Sequence, residues 1–558
     1  MSKGLSFLHA LGQLQRLPHQ RRFERSIQAP ARAQAERLRN IAELSATTAF
    51  GREHDLRSVR TLADLQRRVP VQNANTMRPW IEREMKGERK ALCAEAPIFY
   101  AVSSGTMGEP KITPTTESFR REFQTSLLTS MAYTYQRHRP AFTGSILYFV
   151  ARKELSRAPD GTPIGFTSGF NFSRMPKLVQ RAYAVPYAAF EVENARARAY
   201  LTTWLSALSD VTVIGAIFPL ALSELLRATE GDADALVRDL ERGTLRDDIV
   251  LTGAERHHFE KFARRDARRA EHVARVSREE GGKLTGRAIF PKARLLYCWA
   301  GASAGQHIRA LREKLPEGLA VSDGVYAANE GWSNVPLADG EIGGPVSIHG
   351  HFYEFVEEGD WENGKREGCG VEELVSGKSY RLLLSTSAGL LRYDLGDIIH
   401  CSGHFGRTPR IAFERRSGAS YNLTGEKLNE AQVQRAVSTV GNELRMTPTF
   451  FSAVPCFEPR PRWELWVEFS KEHSTEELMQ WRTRLDAIMR EQLSDYKLYR
   501  GGALGPIALR VLRPGAYGTW RNARGAHAQS KVVNLETRPE AFEGLVVERW
   551  IVDPEERR

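Results

Sequence analysis

Nine consecutive residues, Ser103-Ser104-Gly105-Thr106-Met107-Gly108-Glu109-Pro110-Lys111, bring together three hydroxyls, two glycines and a lysine. Glycines permit positive φ and close approach of an anion, so a loop of this kind can turn backbone N–H groups and hydroxyls toward phosphate oxygens. Lys111 would add a movable positive charge. The spacing is neither that of a Walker A loop nor of a G-x-G-x-x-G dinucleotide loop. Taken alone, the same composition is that of a solvated turn, which is the commoner reading. Two later stretches carry compatible chemistry. In Tyr326-Ala327-Ala328-Asn329-Glu330 an aromatic ring precedes a carboxylate by four residues; adenine can stack on the first, and Mg2+ can be held by the second through phosphate oxygens. Asp397, just after Gly396, can accept both hydroxyls of a ribose. Each has a plain alternative: a half-buried core tyrosine, a surface charge, an Asp-capped turn.

The surrounding elements suit a site built at strand ends. Residues 98–102 form a short β-branched and aromatic run, and Phe119, Phe123, Leu127, Leu128 and Met131 recur at helical spacing behind Thr115 and Thr116. The order is strand, polar loop, capped helix. Residues 144–151, 211–218 and 319–322 read as further strands separated by helices, which predicts an α/β sheet covered on both faces. Residues 350–356, 379–385 and 390–399 make the next part β-rich. The first 60 or so residues read as helices with basic faces that pack on the main body, and 160–172, which has no clear period, reads as a pocket loop or, by preference, a surface loop.

Composition excludes several classes. Hydrophobic residues make up 41% and charged residues 26% of 558, an ordinary globular balance. No apolar run reaches the roughly 18 residues a membrane span needs, and Gln13, Gln15 and Arg16 interrupt the apolar residues of the N-terminus, unlike a secretory signal. A cytoplasmic protein with no membrane partner is expected. Five scattered cysteines without a C-x-x-C pair argue against a disulfide frame or zinc site. The net charge of +11 raises nucleic acid as a partner, but the densest basic segment, 256–278, is interleaved with Glu260, Asp266 and Glu271, the pattern of a solvated, salt-bridged helix. Gly301-Ala302-Ser303-Ala304-Gly305 matches the G-x-S-x-G of a nucleophile elbow, for which Asp397 and His404 could complete a triad; small residues at a strand-to-helix turn also occur for packing alone.

Taken together, the three polar stretches resemble the acyl acid amido synthetases of the Gretchen Hagen 3 family, within the adenylate-forming superfamily. Ser103 to Lys111 matches the family's S-S-G-T-x-G-x-x-K in full. Tyr326 to Glu330 corresponds to Y-A-x-S-E with Asn329 where serine is usual, and Tyr393-Asp394-Leu395-Gly396-Asp397 corresponds to Y-R-x-G-D with Asp394 where arginine is usual. Residues 47–54, 425–430 and 528–532 resemble further family stretches, so the likeness covers nearly the whole chain. It implies adenylation of a carboxylic acid by ATP with Mg2+ and transfer of the acyl group to an amine, typically an amino acid, with release of AMP. Transfer to coenzyme A or a carrier thiol is the alternative, and a serine hydrolase using Ser303 a more remote one.

The resemblance implies that Ser103, Ser104, Gly105, Thr106, Gly108, Tyr326, Asn329, Asp397 and Arg415 bind the nucleotide, that Glu330 holds the metal, and that Lys111, Lys427 and Lys531 act on the reacting groups. It further implies a large N-terminal α/β domain over 1–420, with mixed sheets and a β-rich part, a smaller α+β lid over 421–558 that reorients between half-reactions, and a monomer.

Overall fold

The computed structural model describes residues 2–103, 111–301, 304, 308, 311–416, 420–523 and 534–553. The chain divides into two compact units, the first formed by residues 1–102 and 112–415, the second having residues 416–558 as its body.

At the centre of the first unit lies a parallel sheet of four strands in the order Ser145–Tyr148, Val211–Gly215, Leu295–Cys298 and Ala320–Asp323. Alternate side chains leave by opposite faces. Leu147, Ile214 and Leu296 pack with Tyr200, Leu201 and Trp204 of the helix Ala195–Ala207, while Val213 and Leu295 pack with Tyr135 of the helix Glu117–Arg137. Burial on both faces explains why these strands read as continuous apolar runs. They are shorter than the runs suggest: 144–151 is strand only over Ser145–Tyr148, and 211–218 only over Val211–Gly215.

A second sheet takes the order Lys111–Thr115, Phe99–Ser103, Pro163–Gly165, Ser156–Arg157, and it corrects the reading of 160–172 as a surface loop. Pro163–Gly165 pairs in parallel with Phe99–Ser103, and a helix follows over Thr167–Ser173. The segment shows no period because glycine contacts hold it. A Cβ on Gly165 or Gly169 would lie 2.1 Å from the carbonyl oxygen of Lys153 or Ala151. Phe170 stacks on Phe99 with ring centroids 4.2 Å apart.

The third sheet is antiparallel, in the order Gly344–Pro345, Thr408–Arg416, Tyr393–Phe405, Ser379–Ser385, Phe352–Glu357. N-terminal helices Ser2–Ser26, Pro30–Ser45 and Ala49–Glu53 precede these sheets. His349 ties one of them down, its Nε2 lying 3.0 Å from Ser26 Oγ. Burial, with a smaller push from Arg22, lowers the His349 pKa to about 4. The unfolded chain binds that proton near pH 6.5 and the folded chain does not, so stability is complete above pH 6.5 and falls by up to about 3 kcal/mol as pH drops toward 4. Urea midpoints at pH 7 and 4.5 should therefore diverge less in His349→Gln than in the parent; equal divergence would refute this origin of the acid sensitivity.

The second unit carries its own mixed sheet, Pro448–Cys456, Arg462–Phe469, Ala508–Leu512 and Val547–Ile551, with one parallel pairing between the middle strands. Trp463, Leu465 and Val467 pack with Val433 and Val437 of the helix Glu430–Leu444 and with Trp481 and Leu485 of the helix Thr475–Gln492. Among the described residues no helix is long and apolar enough to cross a membrane.

Candidate active site

Past the end of the strand Ala320–Asp323 the chain turns into a two-residue hairpin, Ala327–Ala328 with Gly331–Trp332, and Tyr326 sits at its entrance. The fully buried Asn334 fixes that entrance: its Oδ1 accepts from Tyr326 N at 3.0 Å and its Nδ2 donates to Ile411 O at 3.1 Å. Tyr326 Oη then donates to Asp397 Oδ2 at 2.6 Å, and its ring packs against Phe413. Two residues 71 apart in sequence thus form one buried pair. The tyrosine hydroxyl orients the carboxylate. Asp397 does not serve a triad with His404. Seven residues of extended chain separate them, roughly 20 Å on opposite strand faces, and His404 is exposed.

Asp394, where arginine was expected, is a structural acid. Arg381 Nε and Nη2 donate to its two oxygens at 2.8 and 2.6 Å, and Gly396 N donates to Oδ1 at 2.8 Å, closing the turn in which Gly396 takes φ +78°. One carboxylate therefore sets the backbone immediately before Asp397. Restoring the family residue by Asp394→Arg would set two guanidiniums together in a site only 13% and 10% exposed and leave the Gly396 amide without its acceptor. A loss of about 2–4 kcal/mol in unfolding free energy is expected, read by urea denaturation, and a neutral outcome would show that Asp394 does not carry the turn.

Asn329 also has a local cause. Its Oδ1 accepts from Thr167 Oγ1 at 2.7 Å and its Nδ2 donates to Val102 O at 3.1 Å. It joins the helix Thr167–Ser173 to the strand that leads into the glycine-rich stretch. A serine hydroxyl is too short to span both partners.

Glu330 is 5% exposed and makes no hydrogen bond or ion pair among the described residues. Beneath it, Gly331 lies so close to His351 that a Cβ would come 2.9 Å from the ring. His351 Nδ1 is 3.0 Å from Glu122 Oε2, and Glu122 also pairs with Arg37 and accepts from Ser387 N at 3.3 Å. Burial would raise the Glu122 pKa, but the His351 bond and the Arg37 charge prevail and hold it below the ordinary range. Sequence reasoning missed this network. Its contacts join residues 85 to 265 positions apart, and Arg37, Glu122 and His351 each look like a surface charge.

Asp323 was missed as well. It accepts from Ala300 N at 2.8 Å and Gly343 N at 2.9 Å, and burial lifts its pKa to about 6 despite those bonds.

In the second unit, Lys427 takes φ +49°, a conformation that costs a side-chain-bearing residue about 1–2 kcal/mol. Two neighbours impose it. Gly425, at φ +131°, lies flat on Tyr499, where a Cβ would fall 2.0 Å from the ring. Buried Glu426 accepts from Leu423 N, Thr424 N, Thr424 Oγ1 and Trp463 Nε1. Lys111 opens the strand Lys111–Thr115 and is half-buried. Residues Ser104, Gly105, Thr106, Gly108, Ser303 and Lys531, and the side chains of Ser103 and Arg415, lie outside the described residues.

The fold is that of an acyl acid amido synthetase: the solved structure of the GH3.15 acyl acid amido synthetase superposes with a TM-score of 0.64 and 20% identity, covering 95% of this chain and 96% of the other. Models of the GH3 family N-terminal, central and C-terminal domains match residues 19–320, 344–416 and 431–539, and the chain belongs to that family. Among its relatives are an indole-3-acetic acid-amido synthetase, GH3.3, from Arabidopsis thaliana, 24% identical over 86% of this chain and 84% of its own length, and a jasmonoyl-L-amino acid synthetase, JAR6, from Nicotiana attenuata, 24% identical over 89% and 88%. Like them, the chain is an amide-forming ligase.

Proposed function

We propose that the chain activates a carboxylic acid as its acyl-adenylate and passes the acyl group to an amine, most simply the α-amine of an amino acid. The observation that carries this reading is the buried Tyr326–Asp397 pair, with Glu330 four residues after Tyr326 and without a partner among the described residues, in a member of a family whose named relatives conjugate acids to amino acids. Asp397, oriented by Tyr326, accepts the ribose hydroxyls. Asn329 holds the strand ahead of the 103–111 stretch, whose hydroxyls and Lys111 bind phosphate.

A hard cation such as Mg2+ fits Glu330. A buried carboxylate lacking a partner is costly unless something compensates it, and among the described residues no cluster of three His, Cys, Asp or Glu competes as a metal site. One carboxylate together with substrate phosphates is a usual donor set for Mg2+, which when bound neutralises phosphate charge. Phosphoryl chemistry of this kind requires chiefly positioning and charge neutralisation. Arg415, Lys427 and Lys531 supply further positive charge, and residues 421–558 act as a lid between the half-reactions. Five unpaired thiols suit a reducing, cytoplasmic setting.

The test is pyrophosphate exchange across a library of carboxylic acids, followed by an amine panel with mass detection of products. AMP, pyrophosphate and an amide are expected. Formation of ADP would sink the adenylate route, and a thioester formed in preference to the amide would reassign the acceptor to a thiol.

A further inference from the structure

The N-terminal helix Ser2–Ser26 docks through Phe23, which is 2% exposed and edge-on to Tyr133, and otherwise through polar contacts. Three polar side chains share that docked face: His9 Nε2 lies 2.9 Å from Gly144 O, Gln13 Nε2 donates to Ala132 O at 3.4 Å, and Gln20 Nε2 donates to Gln136 Oε1 at 3.1 Å. These three are buried, while Phe7 is 68%, Leu11 40% and Leu14 63% exposed. Gln13, which interrupts the apolar pattern in sequence, is thus one of the residues that dock the helix.

The outward face has a second half. At 3.6 residues per turn, Phe7, Leu11, Leu14, Pro18, Arg21, Arg22 and Arg25 fall within an arc of about 100°, along about 27 Å of helix. Arg21, Arg22 and Arg25 are exposed, and their side chains have no ion pair among the described residues. The one acid of the helix, Glu24, lies off that arc and accepts from Gln20 and from Tyr133 Oη. One exposed ridge is therefore apolar toward its N-terminus and cationic toward its C-terminus.

We propose that this ridge is a docking surface for an anionic phospholipid bilayer, the helix lying in the plane of the interface. Phe7, Leu11 and Leu14 enter the acyl boundary, and the three guanidiniums, set further along the same ridge instead of on the opposite face, engage lipid phosphates. A second copy of the chain fits worse. Parallel pairing sets three arginines against three arginines, and antiparallel pairing sets them on apolar side chains, so neither neutralises the charge. The net charge of +11 has the right sign for an acidic surface. Peripheral contact of this kind needs no membrane-spanning helix.

The test uses the full chain and sedimentation with vesicles of phosphatidylcholine alone or with roughly 30 mol % phosphatidylserine. Binding is expected to the mixed vesicles alone, with an emission blue shift in Phe7→Trp. Arg21→Glu/Arg22→Glu/Arg25→Glu should weaken it on the order of 100-fold, and Phe7→Glu/Leu14→Glu should abolish the salt-insensitive remainder. Near pH 7 both variants should keep the parent melting temperature and pyrophosphate exchange without vesicles, because every altered residue is exposed and none belongs to the nucleotide site. Absence of binding to anionic vesicles overturns the proposal. So does binding undiminished in both variants, which would assign attraction to charge elsewhere. Concentration-dependent dimerisation lost in Phe7→Glu/Leu14→Glu, without vesicle binding, would give the ridge to a second copy instead.

Discussion

Replacing Glu330 by glutamine is expected to lower acid-dependent ATP–pyrophosphate exchange by about three orders of magnitude while leaving the melting temperature unchanged or higher. The two halves of that outcome share one cause. A carboxylate at 5% exposure with no partner among the described residues is a stability cost, and an uncharged side chain of the same shape relieves it. A residue maintained at such a cost is the kind that function retains. Gly331 beneath it cannot yield, since His351 and Leu384 both stand 2.9 Å from where a Cβ would go, so the turn that presents Glu330 should survive the substitution. Activity and melting temperature are separable readouts. If exchange stays within tenfold of the parent, or falls only in step with melting, Glu330 is not the metal-binding acid proposed here.

The second large effect concerns stability. Arg392, at φ +46°, is 3% exposed and Glu354 1% exposed. The guanidinium donates to both Glu354 oxygens at 2.9 and 2.8 Å and to Val69 O at 2.8 Å. Glu354 also accepts from Gln66 Nε2 and Gly368 N. Removing the cation strands a buried carboxylate, and Arg392→Met is expected to cost about 3–5 kcal/mol. Because Gln72 bonds to the backbone of Arg392 and Asp394, the strand bearing Asp397 should shift as well, raising KM for ATP in whatever fraction folds. Removing both charges in Arg392→Met/Glu354→Leu should recover much of the stability. Urea unfolding of the single and double variants decides this: a loss under about 1 kcal/mol in the single variant would mean that solvent reaches the pair.

Much of the fold was legible because its signals are local. The runs 144–151, 211–218 and 319–322 could be read as strands from composition, and Thr116, whose Oγ1 accepts from Phe119 N, caps its helix as the sequence suggests. Tyr326, Glu330 and Asp397 stood out because their types suit nucleotide chemistry. What remained hidden was long-range. Asn334 with Ile411, Glu122 with His351, and Glu354 with Arg392 are polar contacts between residues far apart in sequence, and no window of sequence separates a buried charge from a solvated one. The helix Thr167–Ser173 escaped for a different reason, since backbone contacts at Gly165 and Gly169 leave no apolar period to detect. The two departures from the family motifs were legible as departures only; Arg381 and Thr167, which explain them, could not be found from position alone.

Asn329 has one consequence beyond holding a turn. Its amide is a coupling with two ends, one on Thr167 at the start of a short helix and one on Val102 at the threshold of the glycine-rich stretch. Any ligand that orders the first end lowers the entropy still to be lost at the second, and by reciprocity the converse holds. An acid that settles against residues 167–173 would thereby tighten the grip on ATP with no change of shape. In Asn329→Ser, where one side chain no longer reaches both partners, the two substrates would bind as strangers.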